Sequence, residues 1–184
     1  MDSMKILIAS DIHGSEKYCR ELIEAFSREG AERLLLLGDI LYHGPCNDLP
    51  EGYSPMGAAA LLNGLRGRVF SVRGNCDADI DSVVLSFPTS ADHAYLPAGG
   101  RLIFATHGHI YDKQDPPPLS PGDVLLCGHT HVPACEDAGG FIYMNPGSVS
   151  IPKEGSERGY MLFDGARFKW KTLNGREIME YSLE

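Results

Sequence analysis

Seven side chains of metal-ligand type stand directly behind short apolar runs in this chain. Asp11 and His13 follow ILIAS, Asp39 follows LLLLG, and Asn75 follows VFSVRG. His107 follows LIFAT, and His129 and His131 follow VLLCG. Together they offer hard oxygen and imidazole nitrogen with no thiolate demanded, which suits first-row divalent cations. A carboxylate can bridge two cations, and Asp39, behind Gly38, is the candidate bridge. The others divide into Asp11, His13 and His131 for one cation and Asn75, His107 and His129 for the other. Two cations about 3.5–4 Å apart can share a hydroxide, lower its pKa, and hold the attacking and leaving oxygens of an in-line phosphoryl displacement. The pattern therefore predicts a dinuclear metallohydrolase. Each piece alone has a plainer reading, as a turn, a helix cap or a rim histidine; the joint order carries the inference.

Such ligands must be gathered by the fold. Runs rich in Val, Ile, Leu and Phe read as strands, and open α/β sheets collect functional groups beyond the carboxyl ends of their strands. Residues 4–10 read as a first strand buried on both faces. Residues 15–29 read as a helix with Cys19, Leu22, Ile23 and Phe26 on one face and Gly30 as its stop. Strands follow at 34–37 and 69–72, around a loop at 40–53 and a helix from Ser54-Pro55 to about Gly64. This rhythm predicts a parallel sheet with crossover helices. Beyond about residue 90 strands dominate, at 101–106 and 124–127. Paired segments there meet at Gly139-Gly140, Asp164-Gly165 and Asn174-Gly175. Both His129 and His131 reach the metals only if the chain turns after Gly128. The expected architecture is α/β, two packed mixed sheets with helices outside, in one domain over 1–184.

Composition sets bounds. The 184 residues are 43% hydrophobic and 22% charged, ordinary for a globular protein. A net charge of −9 without a basic cluster excludes a surface that coats nucleic acid, although bound metal still admits a small phosphate ester. The five cysteines show no CxxC spacing and suit free thiols in a reducing compartment. No apolar run is long enough to span a bilayer and no secretory leader is evident, so the cytoplasm is the expected location. Composition leaves the oligomeric state open, a homo-oligomer included.

D-x-H, GD, GN, HGH and GHTH in this order resemble the calcineurin-like metallophosphoesterase superfamily. The stretches SDIHGS (10–15), LGDILYHGP (37–45), VRGNCD (72–77), THGH (106–109), GHTHVP (128–133) and NPGSVSIPK (145–153) are similar to its small bacterial and archaeal phosphodiesterase branch. The resemblance implies a four-layer α/β/β/α sandwich and a di-metal centre held by Asp11, His13, Asp39, Asn75, His107, His129 and His131. Manganese is the expected metal, with Zn²⁺, Fe²⁺, Ni²⁺ and Mg²⁺ as alternatives. The implied reaction is hydrolysis of small phosphate diesters by a hydroxide shared between the two metals.

One position departs from the superfamily pattern. A histidine usually follows the Gly-Asn, and here Cys76 stands there, read as a small buried residue starting a helix. His109 becomes the candidate substitute acid, the alternative being metal activation alone. His43 is read as either a phosphate contact or an idle loop residue, and His93 as surface. Asn145 is placed near the same rim, and Arg73 either neutralises substrate charge or forms a salt bridge. Competing functions are a phosphomonoesterase acting on a nucleotide or phosphoprotein, and a non-enzymatic scaffold of this fold. All seven ligand types remain, which favours an enzyme.

Overall fold

The computed structural model describes residues 4–183. Strand β1 (Ile6–Ala9) leads to helix α1 (Glu16–Arg28), β2 (Arg33–Leu36), α2 (Pro55–Asn63), β3 (Val69–Ser71) and the single turn α3 (Asp81–Val84). Then follow β4 (His93–Ala98), β5 (Arg101–Thr106), β6 (Val124–Leu126), β7 (Pro133–Asp137) and β8 (Ile142–Pro146). The chain closes with β9 (Gly159–Phe163), β10 (Arg167–Thr172) and β11 (Glu177–Ser182). One sheet has the order β11-β10-β9-β1-β2-β3 and the other β4-β5-β6-β8-β7. Both are mixed. β1, β2 and β3 run parallel, as do β5, β6 and β8, while antiparallel strands complete each sheet.

Alternation along the strands explains the layers. In β1, Ile6 and Ile8 face the second sheet, where they meet Ile103, Leu126 and Met144. Leu7 and Ala9 face the other way, onto Leu22 and Phe26 of α1 and Leu62 of α2. Helix α1 begins at Ser15, whose Oγ accepts from the Tyr18 N–H, and buries Tyr18, Cys19, Leu22, Ala25 and Phe26. Ser54 precedes α2 as expected, but its side chain makes no capping bond. The outer face of the second sheet (Phe104, Leu125, Tyr143) packs against Tyr111 and Leu119 of the 110–121 loop. That layer is irregular chain rather than helix.

The three glycine-containing turns of the second half fall where expected, between β7 and β8, β9 and β10, and β10 and β11. The sequence reading passed over β4 and α3. Strand β4 alternates exposed and half-buried residues, carries Pro97, and pairs antiparallel with β5 at the sheet edge. The placement that matters for the site follows from topology. The carboxyl ends of β1, β2 and β3 from one sheet and of β5 and β6 from the other open onto a single rim.

Candidate metal centre

All seven predicted ligands meet at that rim. His13 Nε2 lies 3.2 Å from His131 Nε2, and these lie 3.6 and 3.3 Å from Asp11 Oδ1. On the other side His107 Nε2 lies 3.0 Å from Asn75 Oδ1 and 3.3 Å from His129 Nδ1. Asp39 Oδ2 stands between the halves, 3.7 Å from His13 Nε2 and 3.4 Å from His107 Nε2. Asp11, His13 and His131 form one potential ligand group, and Asp11, Asp39 and His107 another.

The backbone that brings them together is unusual. Asp11, His13, Asp39, His129 and His131 have φ of 58°, 48°, 53°, 65° and 62°. Left-handed backbone costs a non-glycine residue about 1–2 kcal/mol, and Asp and His tolerate it better than branched residues. Among the described residues only Arg66 and Glu154 share it outside glycine. Beyond a strand, left-handed residues at 11 and 13, and again at 129 and 131, bend the chain so that two alternate side chains reach the same cluster. This is the turn that His129 and His131 require.

Hydrogen bonds fix which nitrogen each imidazole presents. The Nδ1 atoms of His13, His107 and His131 lie 2.8, 2.6 and 2.6 Å from the carbonyls of Tyr42, Leu37 and Ile151. A carbonyl can only accept, so Nδ1 carries the proton and Nε2 turns its lone pair inward. The carboxylates are anchored as well. Asp11 Oδ2 accepts the His129 N–H, and the hydroxyls of Ser148 and Ser150 donate to the Asp11 carbonyl. Asp11 Oδ1 is buried without a hydrogen-bond partner.

An orphaned, buried carboxylate oxygen facing two lone pairs is a poor arrangement for a protein alone and a good one for a cation. Without a cation, protons on those nitrogens supply the compensation. Burial pushes the Asp11 carboxyl upward, yet His13 and His131 outweigh it and hold its pKa well below the ordinary value. Burial pushes His107 downward, yet Asp39 and Asp11 bring it up to about 9. Asp39 is likewise lowered against its burial, chiefly by His107. The residues fit divalent metal.

Asp77, which the sequence reading gave no role, holds the two central loops together. Its buried carboxylate accepts the N–H groups of Asp39 (2.9 Å), Ile40 (2.8 Å) and Gly74 (2.7 Å). In return Asp39 Oδ1 accepts the Cys76 N–H at 2.8 Å. This stitching needs Gly74, because a Cβ there would run into the Asp39 carboxylate and backbone. Burial raises the pKa of Asp77, and its backbone donors pull against that rise. Asn145 is at the rim as expected. Its amide donates to the Gly128 carbonyl (2.6 Å) and the Thr130 hydroxyl (3.1 Å), bracing the GHTH turn.

A cavity of about 690 Å³ opens over the cluster, lined by Asp39, Asn75, His129, His131, Tyr42, residues 44–47 and residues 76–79. Cys76 belongs to that lining, half-buried and starting no helix, which corrects its reading as a buried helix opener. Its Sγ shares a potential ligand group with His13 and Asp39 and accepts a 3.3 Å bond from the Asn75 amide. Burial, then Asp39, pushes the thiol up to about 12, so it stays protonated. His109 is exposed, its ring 5.3 Å from that of His107, and lies outside the cavity lining. Burial, then His107 and His129, lower its pKa. His43 stacks edgewise on Tyr42 and Tyr53, also outside the lining, and His93 is exposed on β4. Arg73 forms the salt bridge that was one of its two readings, with Asp79 at 3.3 Å, and it also lines the cavity.

A family model, the calcineurin-like phosphoesterase superfamily domain, matches residues 4–167. The chain belongs to that superfamily. Phosphodiesterase YfcE of Escherichia coli (strain K12) is 43% identical over 96% of this chain and 96% of its own length. The solved structure of YfcE, described as a phosphoesterase, matches with a TM-score of 0.94 at 40% identity, covering 98% of this chain and all (100%) of that one. Vacuolar protein sorting 29 of Cryptosporidium parvum shares the fold at a TM-score of 0.62 and 16% identity, over 99% of this chain and 100% of its own. The family binds divalent metals, in keeping with the donor set described. Among the described residues no helix is long and apolar enough to cross a membrane.

Proposed function

We propose that this chain acts as one domain, a metal-dependent phosphodiesterase for small diesters, with Asp11, His13, Asp39, Asn75, His107, His129 and His131 holding two divalent cations. Manganese is the metal proposed, in a reducing compartment such as the cytoplasm, which suits the free thiols. The observation that carries the reading is the convergence of the six other ligands around Asp39, with Asp11 Oδ1 buried and unpartnered. The relative named a phosphodiesterase, 43% identical across nearly the whole chain, supports the diester reading. So does a cavity of about 690 Å³, which leaves room for ester arms around one phosphoryl group.

When bound, the cations supply Lewis acidity, which acidifies a water and neutralises phosphoryl charge. The chain's own residues do the positioning. His13, His107 and His131 are locked in the tautomer that turns Nε2 inward, and Asp39 spans the two halves of the site. Asn75 adds a neutral oxygen, which keeps the charge of the site low. Among the described residues no imidazole outside the ligand set lines the cavity. His109, the candidate acid, is therefore not favoured as a proton donor, and departure of the leaving group rests on that group's own acidity.

The test is to strip the protein of metal, confirm its removal by elemental analysis, and assay aryl diesters before and after adding Mn²⁺. Hydrolysis should vanish and return. Undiminished hydrolysis by verified metal-free protein would overturn the reading.

A further inference from the structure

The cavity holds two cations that the metal centre does not use. Arg73 and Lys153 both line it, beside opposite halves of the ligand set. Arg73 lies next to Asn75 in the chain and is steadied by Asp79 and by the Asp77 carbonyl. Lys153 sits beside His131, its backbone N–H donating to the His131 carbonyl at 3.3 Å.

The turn that presents Lys153 is built with care. Ser156 N–H donates to the Lys153 carbonyl at 3.0 Å, and the central residues Glu154 and Gly155 have φ of 55° and 71°. Positive φ at both central positions is what a type I′ turn needs, and here one of them is a non-glycine residue. Ser156 Oγ donates to the carbonyls of Lys153 (2.6 Å) and His131 (3.5 Å), tying the turn to the metal loop.

Among the described residues the Lys153 ammonium makes no ion pair or hydrogen bond, although the chain carries a net charge of −9. A diester has one negative charge, and the metal centre already faces it. A positive side chain held at the same cavity without a protein counter-charge suits a second anion. The cavity, about 690 Å³, lies in the range of about 300–1,000 Å³ that holds a drug-sized ligand, far more than one phosphoryl group.

We propose that Lys153 forms an anion subsite beside the metal centre, so that the preferred substrate is a phosphate diester whose ester arm carries a further phosphate. This rests on the diesterase reading. An exposed lysine contact of this kind corresponds to a preference of about two- to fivefold, eroded by salt.

Two substrates with the same leaving group test it: the p-nitrophenyl ester of thymidine 5′-phosphate, and that ester carrying a 3′-phosphate. The metal-loaded wild type should favour the second about two- to fivefold in kcat/KM, mainly through KM, and the preference should shrink as NaCl rises from about 0.05 to about 0.5 M. Lys153→Gln should lose most of the ratio and Lys153→Arg should keep it. Equal kcat/KM values in the wild type, or equal losses on both esters in Lys153→Gln, would overturn the subsite. If neither ester is hydrolysed, the diesterase reading fails. Calorimetry then judges the subsite by itself, by titrating thymidine 3′,5′-bisphosphate and thymidine 5′-monophosphate onto both proteins. Tighter bisphosphate binding that is lost in Lys153→Gln supports it, and equal affinities for the two ligands refute it.

Discussion

Replacing Asp77 with asparagine should damage the metal centre without touching a metal ligand. The carboxylate accepts three buried N–H groups, from Asp39, Ile40 and Gly74. The best an amide can do is keep its oxygen toward Asp39 and Gly74, which share Oδ2, and turn its NH₂ toward the Ile40 N–H. Two bonds then fall from charge-assisted to neutral, at about 1 kcal/mol each, and a third becomes a donor–donor contact costing about 1–3 kcal/mol. The amide escapes the desolvation that raises the pKa of Asp77, so the net loss should be about 2–3 kcal/mol. Urea denaturation of the metal-free protein reads that loss directly. Because the same N–H groups set the positions of Asp39 and Asn75, metal affinity should also fall about 10–100-fold in a competition titration. Wild-type stability together with wild-type metal affinity in Asp77→Asn would refute the claim that this carboxylate positions the two loops.

Asp39→Asn should lose at least one metal and nearly all turnover, whereas His93→Ala, on the exposed face of β4, should keep both; elemental analysis and diester assays would show whether the two variants differ. Nitrophenyl esters should turn over far faster than alkyl esters, with a steep dependence of log kcat/KM on leaving-group pKa. Cys76→His should flatten that slope and Cys76→Ala should leave it unchanged; a flat slope in the wild type would mean that an acid already operates. Away from the site, Glu29 is lowered from its ordinary value of 4.5; burial raises it, and Lys171 (2.6 Å) and Tyr160 (2.8 Å) outweigh that. A depressed carboxylate stabilises the fold above its unfolded pKa and loses that contribution as pH falls through its folded value. Glu29→Gln should therefore cost about 1–2 kcal/mol at neutral pH, with the gap to wild type closing below about pH 4.5 in denaturation series.

The ligands were legible because each follows a strand buried on both faces, and such strands are near-continuous apolar runs in any sequence. Leu34–Leu37 and Leu7–Ala9 leave little room for another reading. Strand β4 was not legible for the converse reason. Its outward residues His93, Tyr95 and Pro97 face solvent at a sheet edge, and a proline there is tolerated because it breaks no ladder inside the sheet. Asp77 reads as one more acidic residue, since its partners at Asp39 and Ile40 lie 38 and 37 residues away in the chain. The close Gly74–Asp39 approach gives a reason for glycine at that position, but one sequence cannot show it. The left-handed backbone at Asp11, His13, Asp39, His129 and His131 is equally silent, being imposed by tertiary contacts on residues that do not need it elsewhere. Cys76 was misread because the plain expectation for a cysteine is burial, and only the fold turns its thiol toward Asp39.

The most direct test of the account is anomalous diffraction from crystals of this chain loaded with Mn²⁺, measured on both sides of the manganese absorption edge. Two peaks about 3.5–4 Å apart are predicted. One should lie among Asp11, His13 and His131, the other among Asn75, His107 and His129, with Asp39 between them. A single peak, or none in the cluster, from crystals of a preparation that hydrolyses diesters only with added metal would contradict it.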